Sequence, residues 1–152
     1  MNLLDSITIS ATGLSAERIR LNIASMNLAN ANVTRTVDGG PYRAKSVIFA
    51  SERYKPQSDG PGNSQGGDFD QQLEKAVETV KVAGIVDDPD PFIKVYDPGH
   101  PDADADGMVS YPNVNTMEQM VDVMNASRAY EANATVLETA KSMAMKAIDI
   151  AR

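Results

Sequence analysis

All eight prolines of this 152-residue chain lie between Pro41 and Pro112. Nine of its ten glycines lie between Gly39 and Gly107, with Gly13 the exception. Proline inside a helix removes an N–H and clashes with the preceding turn, and glycine costs about 1 kcal/mol there relative to alanine. Only the two ends of the chain are therefore free to form long helices. The aromatic residues obey the same partition, since seven of the eight fall between Tyr42 and Tyr111 and only Tyr130 lies outside. So does charge. Residues 1–50 carry five basic and three acidic groups, residues 51–115 carry five and thirteen, and residues 116–152 carry four and five. The net charge of −7 is thus concentrated in the middle.

The N-terminal end shows a largely apolar stripe at alternating steps of four and three, from Ile7 through Ala11, Leu14, Arg18, Leu21 and Ser25 to Leu28, interrupted by Arg18 and Ser25. That is helical period. A second seam, Ala16, Ile19, Ile23 and Met26, widens the face, and the pattern predicts a helix over 3–30. Asn30 and Asn32 suit its end, because asparagine tolerates the left-handed conformation. At the other end, Asn115 and Glu118 form an N-cap pair. The seam Met120, Val123, Ser127, Tyr130, Ala134, Leu137, Ala144 and Ile148 then predicts a helix from Thr116 to the end. At 1.5 Å per residue the two helices are about 40 and 50 Å long, able to pair as a coiled-coil-like hairpin. The expected class is α+β, with an N-terminal helix over 1–32, a β-rich region over 33–114 and a C-terminal helix over 115–152.

Both helical seams are rich in Ala, Ser and Leu, and five of the eight methionines lie between Met117 and Met145. Small side chains permit close approach, and methionine adapts to irregular partners. Two readings stand: a self-contained helix pair, or helices that bury their apolar stripes against other subunits. In the middle, Asp38-Gly39-Gly40-Pro41 signals a turn, and Ser46–Phe49, Thr79–Val86, Phe92–Tyr96 and Met108–Tyr111 read as strands. Residues 56–68 are nearly all turn formers and predict a mobile loop, while 71–78 fits either helix or strand.

Composition excludes much chemistry. Without cysteine there is no thiolate zinc site, iron–sulfur cluster, disulfide or cysteine nucleophile. A net charge of −7 argues against nucleic-acid binding. No apolar run approaches the roughly 18 residues of a membrane span, and MNLLDSITIS lacks the basic region of a cleaved secretory signal. Asp102, Asp104, Asp106 and Gly107 match the opening of a calcium loop, which makes a calcium-responsive binding module the alternative reading. The match then fails, since Asn113 stands where a bidentate carboxylate is required. His100 is the only histidine, with Asp97 and Asp102 near it in sequence, in a loop where a surface role is the ordinary one. No nucleophile, catalytic base or cofactor fingerprint is identifiable, and neither an enzyme nor a small-molecule substrate is expected.

The stretch SATGLSAERIRLNIASMNLANANVTRT (10–36) resembles the N-terminal signature of the bacterial flagellar rod and hook axial proteins, and SRAYEAN (127–133) resembles their C-terminal signature. DGGPYRAKSVIF (38–49) and the block 99–133 narrow the resemblance to one member of that family, with Met108 standing where tyrosine is expected. The resemblance implies a structural subunit without cofactor. It would be exported through the flagellar type III apparatus without a cleaved signal and built into the periplasm-spanning basal-body rod. Its implied partners are copies of itself, the sister rod proteins FlgB, FlgF and FlgG, and the rod adaptor FliE. Leu14, Leu21, Asn27, Leu28, Asn30, Tyr130, Asn133 and Leu137 fall on the shared motif and are the expected inter-subunit contacts.

Overall fold

The computed structural model describes residues 3–37, 39–54 and 77–150. The expected loop 56–68 and the undecided stretch up to residue 76 lie outside them. Helix α1 spans Leu3–Ala29, strands β1 to β4 span Lys45–Arg53, Glu78–Asp87, Ile93–Tyr96 and Met108–Tyr111, and helix α2 spans Thr116–Ile150. The class is α+β with two long helices, as the proline partition dictates.

Asn115 starts α2 by the capping chemistry its sequence suggests: its Oδ1 accepts from the backbone N–H of Met117 at 3.2 Å and of Glu118 at 3.4 Å. The end of α1 works differently from expectation. Among the described residues no non-glycine residue has a positive φ, so Asn30 does not terminate the helix in the left-handed region. Its backbone N–H and its side-chain Nδ2 instead both donate to the Met26 carbonyl, at 3.1 and 2.8 Å, which holds the last turn in helical conformation.

The strands form two pairs, β1 with β2 and β3 with β4. In the first, Asp88 N–H donates to Ala44 O at one end and Tyr54 N–H to Val77 O at the other, so the strands run antiparallel. Between those bonds β1 has nine residues and β2 ten, which requires one extra residue on β2, a β-bulge. Two cross-strand ion pairs, Lys45 with Asp87 at 2.6 Å and Lys81 with Glu52 at 3.3 Å, sit on this ribbon. The second pair is antiparallel with Ile93 opposite Tyr111 and Tyr96 opposite Met108.

The chain divides into two compact units. One comprises 1–18, 49–83 and 128–152, the other 19–48 and 84–127. In the second, Ile23, Ala24, Ala31, Tyr42, Val109 and Ala126 are buried, together with Asn27. In the first, Ala16 is the one buried apolar residue among those described. There Gly13 of α1 lies against Asn133 of α2, 3.4 Å from its Nδ2 to where a β-carbon would stand. The Tyr54 hydroxyl donates to Asp5 Oδ1 at 2.9 Å in the same unit.

Gly107 closes the loop between β3 and β4. Its N–H donates to Asp104 O and its carbonyl accepts from Asp97 N–H. Its φ is +71°, and a β-carbon there would stand 2.9 Å from Tyr96 Cε2 and 3.3 Å from Pro98 Cβ. Backbone conformation and ring contact both demand glycine. Gly107→Ala is expected to lower unfolding free energy by about 1–3 kcal/mol, read from urea denaturation of the full chain.

Candidate assembly interface

In the unit formed by 19–48 and 84–127, α1 and α2 run antiparallel. Arg20 Nη2 meets Asp122 Oδ1 at 2.7 Å, and two turns further along α1 Asn27 meets Gln119, which lies back along α2. Both groups are about a third exposed, so this ion pair contributes under about 1 kcal/mol. The stronger tie is Asn27, which is 2% exposed. Its Nδ2 donates to Lys45 O at 2.8 Å and to Gln119 Oε1 at 3.0 Å. Its Oδ1 accepts from the Tyr42 hydroxyl at 2.9 Å and from Lys45 N–H at 2.9 Å. An asparagine amide offers two donors and two acceptor lone pairs, and all four are used. One side chain thus joins α1, the segment leading into β1, and α2.

Three ionisable groups respond to these contacts. Desolvation by burial raises the Tyr42 phenol above its ordinary value. The hydrogen bond to Asp87 raises the Lys45 ammonium. The hydrogen bond to Asp5 raises the Tyr54 phenol.

The motif residues divide into those facing inward and those facing solvent. Asn27 has no hydrogen-bonding capacity left for a neighbouring subunit, because its amide is committed within its own chain. Asn133 is half-buried against Gly13. Leu14, Leu21, Leu28, Asn30 and Leu137 are half-buried, and Tyr130 is exposed. The seam read along α1 also resolves into two rows. Its leucines are half-buried, while Ala11 and the two members that interrupt its apolar character, Arg18 and Ser25, are exposed.

The surface that stands out most belongs to the methionine-rich stretch of α2 but lies largely off the predicted seam, which includes only Met120 of it. Met117, Met120, Val121 and Met124 are 70%, 46%, 48% and 52% exposed. Their spacing of i, i+3, i+4 and i+7 places them on one face of α2. The spacing itself was available in the sequence. Only the packing of α2 shows that this row points away from α1's contacts, whereas Gln119, Asp122, Val123 and Ala126 point toward them. Along its described length α2 exposes ten large apolar side chains and buries one residue, Ala126.

The geometry of the acidic loop gives the calcium reading no support. Asp102 Oδ2 accepts from the Thr34 hydroxyl at 2.8 Å, and its Oδ1 lies 3.7 Å from Arg35 Nη1. Asp104 and Asp106 are exposed. Among the described residues no three His, Asp or Glu side chains are arranged to hold a metal. His100 Nδ1 accepts from Asp102 N–H at 3.1 Å, and its ring stands edge-on to Tyr111 with centroids 6.2 Å apart. The histidine is a loop brace.

Comparison with known proteins matches residues 7–35 to the family described as flagella basal body rod protein. Residues 105–150 match the family described as flagellar basal body rod FlgEFG protein C-terminal. The chain is 43% identical over 155 residues to the flagellar basal-body rod protein FlgC of Borreliella burgdorferi, covering 99% of this chain and 98% of that protein. It is 41% identical over 150 residues to FlgC of Salmonella typhimurium, with the same coverage. It is 38% identical over 162 residues to FlgC of Bacillus subtilis, covering both proteins in full.

Replacing Asn27 by alanine orphans two donors and two acceptors at once, so Asn27→Ala is expected to cost about 2–4 kcal/mol in urea denaturation. Tyr42→Phe removes one of the four bonds and is expected to cost about 1 kcal/mol. Lys45 binds its proton more tightly folded than unfolded, so its pairing with Asp87 stabilises the fold below the ordinary lysine value of 10.5. That stability is lost as pH rises through the folded value. The stability difference between the wild-type chain and Asp87→Asn should therefore be present at neutral pH and close in the alkaline range above 10.5, as measured by denaturation across pH.

Proposed function

Because the chain belongs to the FlgC family of flagellar basal-body rod proteins, we propose that it enters the rod by packing the outer faces of α1 and α2 against other rod subunits. Membership makes it a structural subunit of the basal-body rod, located in the flagellar basal body. Its relatives are structural rod proteins. Assembly through the helices, the identity of each neighbour, passage through the flagellar export apparatus and the transmission of torque across the periplasm are the parts of this reading that go further.

One observation carries it. A helix that exposes ten large apolar side chains and buries one residue is not stabilised by its own chain alone. Most helical stability in proteins comes from packing an apolar face, and exposed patches of this kind mark interaction surfaces. A contact in which the outer face of α1 on one copy meets the outer face of α2 on the next joins different patches and is heterologous. Heterologous contacts propagate into open helical assemblies when the rotation does not close. FlgB, FlgF, FlgG and FliE are the neighbours this reading names beside further copies. The exposed α2 row also explains why methionine predominates there: its unbranched thioether adapts to partners that are not identical.

Met124→Asp tests the reading. The side chain is exposed, so unfolding free energy should change by less than about 0.5 kcal/mol. Incorporation into purified basal bodies and swimming should both be lost when the variant is the cell's sole copy. Normal incorporation of a folded Met124→Asp chain would overturn the assembly role of this face.

A further inference from the structure

We propose that Met117, Met120 and Met124 form an oxidation-sensitive row on the assembly face, so that peroxides or hypohalous acids convert the free subunit into one that cannot dock. The inference rests on the reading of α2's outer face as an assembly surface and concerns how that surface is regulated. The chain contains no cysteine, so methionine thioethers are its only oxidisable sulfurs. Three of the eight methionines stand on one face within two helical turns, at 70%, 46% and 52% exposure. Susceptibility of sulfur to such oxidants follows exposure. Met108 on β4 is half-buried and serves as the internal reference.

The chemistry needs only the oxidant. With hydrogen peroxide the thioether sulfur attacks one oxygen, the O–O bond breaks, and water leaves. With hypochlorous acid the sulfur takes the chlorine, a water oxygen displaces it, and chloride and a proton leave. In both, sulfur loses two electrons and gains an S=O bond while the oxidant is reduced. The product is a polar, chiral sulfoxide on a formerly flexible apolar side chain. On a solvent-exposed helix face the folded monomer tolerates it. In a docked interface the sulfoxide oxygen must be desolvated, and an unpaired polar group there weakens binding about tenfold or more. Docking in turn covers the sulfurs, so an assembled subunit is protected and a waiting one is vulnerable.

The test exposes cells carrying the full-length chain to a sublethal pulse of hypochlorous acid while rods are being built. Sulfoxide at each methionine is then measured by peptide mass spectrometry in purified basal bodies and in the unassembled pool. Sulfoxide at positions 117, 120 and 124 should exceed that at Met108 in the unassembled pool and be depleted about tenfold or more in newly built basal bodies. A chain with Met117→Leu, Met120→Leu and Met124→Leu should incorporate several-fold better than the unaltered chain during the pulse, although Met143 and Met145, 62% and 56% exposed, remain. Equal sulfoxide content in the two fractions, or faster oxidation of Met108, would overturn the proposal. Met124→Asp separates the two levels. If that variant is excluded from rods but sulfoxide-bearing chains are not, the oxidation inference alone fails; if it is incorporated, the assembly reading beneath it fails too.

Discussion

The side chain of Asn27 is the constraint on which the rest of the second unit depends. A neutral amide at 2% exposure is tolerable only when every donor and acceptor is matched. Here the matches come from three directions, namely Tyr42, the backbone of Lys45 and Gln119. The backbone pair with Lys45 resembles a strand ladder bond supplied by a side chain, and it seats the first residue of β1 against α1. The bond to Gln119 sets the register of α2. An apolar residue at this position would leave all of those partners unpaired, whereas small apolar contacts alone would let the helices slide.

That polar register matters because the apolar core is thin. Among the described residues the buried apolar set consists mainly of alanines, with Val109 the only large side chain under 2% exposure. Alanine-lined helices approach closely but gain little from burial, since hydrophobic stabilisation scales with the apolar area removed from water. A lean core and an apolar exterior belong together in a subunit whose final environment is other subunits. The area missing from the monomer's core is present on the outer row of α2.

The middle of the chain shows the same economy of means. Arg43 stands over the Phe92 ring at 4.6 Å and donates to Asp88 O, holding the link between β2 and β3. The acidic loop that resembles an ion site is braced instead by Thr34, Arg35 and His100. Its glycine is required by a positive φ and by the face of Tyr96. Calcium loops and tight turns open with the same residues for the same backbone reasons, and the sequence separates them only at Asn113, where the bidentate carboxylate is missing.

By itself the sequence determined where helices are permitted, because proline exclusion acts locally and leaves only the two ends free. Strand positions were legible for a similar reason: β-rich runs bounded by turn formers are local signals. The motif at the two ends identified the family. What only the tertiary structure decided was which side of each helix faces inward. The periodic seam along α1 mixed half-buried Leu14, Leu21 and Leu28 with exposed Ala11, Arg18 and Ser25, and nothing in its period separated them. Asn27 looked suited to a neighbouring subunit, yet its partners lie 15, 18 and 92 residues away in its own chain. Helical periodicity reports that a face exists. Which face is buried depends on partners brought together by folding across the whole chain, and those distances are not written in any local pattern.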